Sequence, residues 1–139
     1  MLELKENALN ENIYLSLREC VNWKKLSEHQ AKQAIEKSLF NVTAYVDGVP
    51  AGMGRVIGDG AVICYIQDLV VLPEYQKMGI GKAIMQRLIS YVEGIREEGT
   101  EMMLCLMCAK GRESFYEKLG FIARPTDSLG PGMTQYLKY

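Results

Sequence analysis

Gln76, Gly79 and Gly81 stand in a Gln-x-x-Gly-x-Gly spacing, with Lys77 and Lys82 among them, and these residue types suit phosphate chemistry. Glycines where a helix opens leave no side chain between a ligand and the first-turn backbone N–H groups. Those donors lie at the positive end of the helix dipole, so they attract phosphate oxygens, and the two lysines add positive charge. Nucleotide versions of such a loop do not fit. Lys82 is followed by Ala83, which offers no hydroxyl for magnesium, and there is no third glycine for a dinucleotide fingerprint.

A loop of this kind needs a strand leading in and a helix leading out. From Tyr65 the chain reads as an apolar, β-branched strand that must stop at Pro73, because proline cannot donate to a ladder. Beyond the glycines, Ile84, Leu88, Val92 and Ile95 recur on one face of a long amphipathic helix. Asp68 lies within the strand and admits two roles, a base or a partner in an ion pair.

The remaining elements must carry this unit. Met1 to Lys5 reads as a short strand, and Asn10 as the N-cap of a helix with Ile13, Leu17, Cys20 and Val21 on one face. Ser27-Glu28-His29-Gln30 has capping-box form, opening a helix with Ala31, Ala34, Ile35 and Leu39 as its apolar stripe. Val42–Val46 and Val49–Ile57 flank Asp47-Gly48, and Asp59-Gly60 precedes Ala61–Ile66, so an antiparallel three-strand meander is expected. Gly52 and Gly54 imply a bulge or close backbone approach, and Arg55 is placed for a substrate anion or an ion pair with Asp59 or Asp68.

Downstream, Met102–Met107 reads as a strand covered on both sides and parallel to the one before the glycines. Gly111–Leu119 reads as a two-turn helix ended by Gly120, and Phe121–Pro125 as a strand. A loop over Thr126–Gly132 then leads to a last strand, Met133–Tyr139.

With 139 residues, 48% hydrophobic, 24% charged and a net charge of -1, the chain reads as one soluble domain over 1–139. No basic stripe points to nucleic acid and no apolar run is long enough for a membrane. Met1-Leu2-Glu3-Leu4-Lys5-Glu6 lacks the pattern of a signal peptide, so a cytoplasmic setting is expected. Cys105 and Cys108 have C-x-x-C spacing, but on a strand they point to opposite faces, and Cys20, Cys64 and His29 are scattered. Free thiols and no metal are the expectation. Trp23 is a candidate pocket cap or core anchor, and His29 a solvated side chain.

The strand ending Asp-Leu-Val-Val-Leu-Pro followed by Gln76-x-x-Gly79-x-Gly81 resembles the pyrophosphate-binding motif of the GNAT superfamily of acyl-CoA-dependent N-acetyltransferases. Phe115-Tyr116-x-x-Leu119-Gly120-Phe121 resembles a second signature of that family. The resemblance runs from about Val42 to the C-terminus. It implies an α/β (α+β) fold, with a mixed sheet of six to seven strands splayed between two central parallel strands and about four helices.

It also implies acetyl-CoA as cosubstrate, a small-molecule amine as acceptor and a homodimer. Residues Gln76, Lys77, Met78, Gly79, Ile80, Gly81, Lys82 and Ala83 match the pyrophosphate loop, and Leu69, Val70 and Val71 match the strand along which pantetheine lies. Tyr116 matches the general acid, and Asp68 is the candidate base, with Gln67 standing where some relatives carry an acid. Two other readings are a catalytically idle acyl-CoA sensor and a protein or peptide N-acetyltransferase. The N-terminal helices, the Arg55 region and the 126–132 loop are the parts expected to choose the acceptor.

Overall fold

The computed structural model describes residues 1–139. In chain order it forms β1 (Leu2–Glu6), α1 (Glu11–Cys20), α2 (Glu28–Glu36), β2 (Phe40–Val46), β3 (Val49–Gly58), β4 (Ile63–Val71), α3 (Ile80–Ile95), β5 (Met103–Leu106) and α4 (Glu113–Glu117). A 3-10 turn, Pro73–Tyr75, joins β4 to α3. The elements fall into two compact units, Met1–Cys105 and Leu106–Tyr139. No helix is long and apolar enough to cross a membrane.

The helix starts follow their capping residues. Asn10 Oδ1 accepts the Ile13 N–H at 2.9 Å, and Ser27 and Gln30 exchange side-chain-to-backbone bonds of 2.9 and 3.0 Å. Each satisfies N–H groups that the first turn leaves without carbonyls. On α1, Tyr14 and Leu17 turn inward, and with Ala31 of α2 they meet Met53, Val70 and Leu72 of the sheet region.

The sheet runs in the order β1-β2-β3-β4-β5, its first four strands antiparallel. Because side chains alternate along β3, Met53 and Arg55 face α1 and α2 while Gly52 and Gly54 face α3. A Cβ on Gly54 would lie 2.7 Å from Leu88 Cδ1 and one on Gly52 2.6 Å from the Val70 carbonyl, so α3 and β4 approach as closely as they do only against glycine. Ile84, Leu88 and Val92 fill that interface. Ile95, the fourth member of the expected stripe, is 37% exposed at the helix end.

Met103 N–H donates to Val62 O at 3.0 Å, and Cys105 Sγ reaches Cys64 O at 3.8 Å. The two contacts advance in the same sense, so β5 is parallel to β4 and the sheet is mixed, as expected. Three expectations need correction. The sheet has five strands rather than six or seven, because neither Phe121–Pro125 nor Met133–Tyr139 forms one. A strand exists only where its N–H and C=O groups meet an edge, and Pro125 has no N–H to offer.

The second correction concerns β5, which is shorter than Met102–Met107 and not covered on both sides, since Met103 is 49% exposed. Apolar composition gives a strand the capacity for burial but does not supply the cover. The third is α4, five residues rather than two turns, although Gly120 takes the expected left-handed cap with φ 97°.

Candidate active site

The site begins at a bulge. Met53 is level with Val70 and Arg55 with Gln67, so β4 spends one more residue than β3 over this stretch. The extra residue sits at Asp68, whose φ of 60° is left-handed, a conformation that aspartate tolerates better than most residues with a side chain. The bulge turns the Asp68 carboxylate inward, where its side chain is wholly buried.

Three donors meet it there. Tyr14 Oη lies 2.5 Å from Asp68 Oδ2, Arg55 Nε 2.9 Å from the same oxygen, and Arg18 Nη1 2.7 Å from Oδ1. The Tyr14 ring lies close to both guanidiniums, 5.7 Å from Arg18 Cζ and 5.4 Å from Arg55 Cζ. Burial, then the hydrogen bond to Asp68 and its negative charge, push the Tyr14 phenol up to about 12 against the pull of the two arginines. Arg55 also donates through Nη1 to Ala34 O and Ser38 Oγ, tying β3 to α2.

Of the two roles open for Asp68 and for Arg55, the ion pair is the one the geometry presents. Arg55 and Arg18 are both salt-bridged to Asp68, and Asp59 instead accepts the N–H groups of Ala61, Val62 and Ile63 at its own turn. Tyr14 and Arg18 were missed as members of this cluster. Arg18 follows Tyr14 by one helical turn, and nothing in the local pattern says that this helix docks beside the bulge.

Past the bulge, β4 continues to Val71 whereas β5 ends at Leu106. Leu72 N–H donates to Ala51 O of β3 at 2.9 Å, so by alternation the N–H groups of Val71 and Leu69 face the opposite edge. With Met103 level with Val62, that edge lies beyond the end of the β5 ladder. Leu69 and Val71 therefore present donors to an edge with no strand on it, and Val70 is buried between them.

The glycine loop follows directly. Gln76 Nε2 donates back to Val71 O at 3.0 Å, holding the loop against the strand end. Lys77 and Gly79 take left-handed φ of 65° and 80°, and α3 then opens. The Ala83 N–H is the first to find a carbonyl, Gly79 O at 3.0 Å, so Ala83 is not an open donor. The N–H groups of Met78, Gly79, Ile80, Gly81 and Lys82 have no protein acceptor. Open space lies where a Gly79 Cβ would be. This donor set fits a diphosphate.

On the α1–α2 side of the bulge lies an open cleft of about 720 Å³, lined by residues that include Arg18, His29, Lys37, Arg55, Gln67 and Asp68. It adjoins Leu69 through the chain itself. His29 sits exposed on its wall, and Trp23, 40% exposed, lies 5.3 Å from Arg18 Cζ rather than in the core.

The acetyltransferase (GNAT) domain family matches residues 38–123, well over half of the chain. The chain belongs to that family. GCN5-related N-acetyltransferase 1, chloroplastic, of Arabidopsis thaliana is 37% identical over 76 residues, 55% of this chain and 36% of that protein. The uncharacterized N-acetyltransferase ycf52 of Porphyra purpurea is 28% identical over 134 residues, 89% of this chain and 75% of its own length. The chain thus spans little more than a third of the first of these relatives. Among solved structures, SA2161 of meticillin-resistant Staphylococcus aureus superposes with a TM-score of 0.85 at 30% identity, covering 100% of both chains.

The GNAT match crosses from the first compact unit into the second, which contains Tyr116. Tyr116 lies on α4, its ring edge-on to Phe115 at 5.0 Å and to Phe121 at 6.1 Å. Burial raises its phenol above the ordinary value, and the nearby Cys108 adds to this while Arg112 opposes it. Cys20, Cys64 and Cys108 of this GNAT chain are free thiols. No group of three or more His, Cys, Asp or Glu side chains is placed to share a metal ion.

Proposed function

We propose that this GNAT chain moves an acetyl group from acetyl-CoA to a primary amine of a small molecule, by direct attack in a ternary complex. The observation that carries this reading is the continuity of donors, from the unpaired edge of β4 at Leu69 and Val71 to the open amides of Met78–Lys82. One end suits an acyl-pantetheine arm and the other its diphosphate.

Acetyl-CoA supplies an activated thioester. Met78 to Lys82 bind its diphosphate through backbone N–H groups, and Lys77 and Lys82 add charge at the exposed rim. Leu69 and Val71 orient the pantetheine amides, and the β4 edge next to the bulge directs an N–H at the thioester carbonyl. A donor of this type contributes about a hundredfold or more in rate, since it strengthens as negative charge develops on oxygen.

Tyr116 protonates the departing thiolate. A phenol held above its ordinary pKa carries its proton at neutral pH, which is the state an acid requires. Asp68 has its oxygens committed to Tyr14, Arg18 and Arg55, so its part is to hold the bulge, and water at the cleft takes the amine proton. The homodimer implied by the family resemblance belongs to the same proposal and is read by sedimentation.

The experiment is thiol release from acetyl-CoA across polyamines, arylalkylamines, aminoglycosides, amino sugars, amino acids and peptides, with calorimetry of CoA binding alongside. Amine-dependent release from a small molecule is expected. CoA binding without release from any of them would mark the chain as a sensor, and release from peptides alone would move the acceptor to protein.

A further inference from the structure

The cleft beside the bulge carries more positive charge than its buried ion pair uses. Of its lining residues Arg18, Lys37 and Arg55 are cations, and Asp68 is the single anion. Asp68 is held by Arg18 Nη1 and Arg55 Nε, which leaves one guanidinium charge and Lys37 uncompensated. Lys37 is exposed at the end of α2 and makes no ion pair. The carboxylates of Glu28 and Glu36 on α2, and of Glu11 and Glu19 on α1, do not line the cleft.

Donors are also left over. Arg55 is 7% exposed and its Nη2 has no protein acceptor, while Arg18 Nε is buried without one. The Arg55 fork, only partly used, matches the oxygens of a carboxylate or phosphate, and Arg18, whose Nη2 donates to Lys24 O, adds its charge. Gln67 adds an uncharged amide on the same wall.

We infer that the acceptor is an anionic amine, a primary amine carrying a carboxylate or phosphate, whose anion seats on Arg18, Arg55 and Lys37. This rests on the acetyl-transfer reading above and narrows its substrate class. A cationic wall repels a polyamine or simple arylalkylamine, whereas the anion of a mixed-charge molecule offsets that repulsion. The same positive field favours the neutral form of the amine, which is the form that attacks, so the cleft supplies part of what a residue base would otherwise do.

The test compares matched pairs that differ only in the anion: phosphoethanolamine with ethanolamine, glucosamine 6-phosphate with glucosamine, and phenylalanine with phenethylamine. Thiol release is followed as kcat/KM. The anionic member of at least one pair is expected to be favoured by about tenfold or more, with the preference shrinking as salt rises. The phosphate and carboxylate pairs separate the two anion chemistries.

Lys37→Glu, at an exposed position that does not endanger folding, is expected to lower the anionic-to-neutral ratio about tenfold while leaving the KM for acetyl-CoA unchanged. Neutral members equal to or better than their anionic partners, or a ratio that Lys37→Glu does not move, would overturn the anionic assignment and leave acetyl transfer standing. Release from no amine of any kind would overturn both.

Discussion

Arg55 Nε donates to Asp68 Oδ2 at 2.9 Å, joining β3 to β4 at the one place where their registers disagree. The pair is buried, so each charge depends on the other for the solvation it has lost. Arg18 and Tyr14 bring α1 to the same carboxylate, and Arg55 Nη1 brings α2. One aspartate thus fixes the bulge, one wall of the cleft and the start of the free β4 edge together.

Replacing that carboxylate should unsettle the fold before it touches the chemistry. Asn tolerates the left-handed backbone at position 68, so Asp68→Asn removes charge with little added strain. It leaves two guanidiniums without their anion and is expected to cost about 3–5 kcal/mol in urea unfolding. A stable Asp68→Asn protein with collapsed kcat would instead place the residue in the reaction as a base.

Tyr14 carries a pH signature. Its phenol is held at about 12 in the folded protein against an ordinary 10.0, so the fold favours the protonated form. A pKa raised by folding gives stability that is whole below the unfolded value and is lost as pH climbs through the folded one. The difference in stability between wild type and Tyr14→Phe should be constant below about pH 10 and shrink toward about pH 12. Denaturant midpoints measured from pH 8 to 12 provide the check, and a difference that does not change across that range would contradict the assignment.

Two glycines on β3 should respond unequally to alanine. At Gly54 the new methyl meets Leu88 Cδ1 at 2.7 Å, the end of a side chain that can turn away, and about 1–3 kcal/mol is expected. At Gly52 it meets the Val70 carbonyl at 2.6 Å, which is backbone and cannot yield without parting β3 from β4 beside the bulge. Gly52→Ala should be the more damaging in thermal unfolding, and the reverse order would refute the account of how the strands approach.

Gly79 tests the diphosphate loop. Its φ of 80° costs an L-residue about 1–2 kcal/mol, while nothing obstructs a Cβ there. Gly79→Ala should therefore raise the KM for acetyl-CoA about tenfold through the loop's conformation, with global stability nearly unchanged, and Gly79→Asn should recover part of the loss. Unaltered CoA affinity in calorimetry of Gly79→Ala would exclude this loop from binding.

Tyr116→Phe retains the ring packing on Phe115 and Phe121 and removes only the proton. Turnover should fall by about a hundredfold or more at saturating acetyl-CoA, with the KM for acetyl-CoA nearly constant. Full turnover with a proven amine would show that the thiolate leaves without this acid.

The elements with local causes were legible in the chain. Asn10 and Ser27 opened helices because a capping side chain acts on N–H groups two or three residues away, and Asp47-Gly48 closed a hairpin by the φ values that only such residues tolerate. The glycine loop was legible for the same reason, since its donors belong to consecutive residues. What the sequence left open needed a partner from elsewhere in the chain. Phe121–Pro125 and Met133–Tyr139 have strand-like composition but join no ladder, and Met102–Met107 was apolar without being covered. Asp68 could be read as a base or as an ion pair, and its partners Tyr14 and Arg18 reach it from α1 across 54 and 50 residues of chain. Local hydrogen bonding is written in short-range spacing, whereas the state of a buried charge depends on which distant groups the fold sets against it.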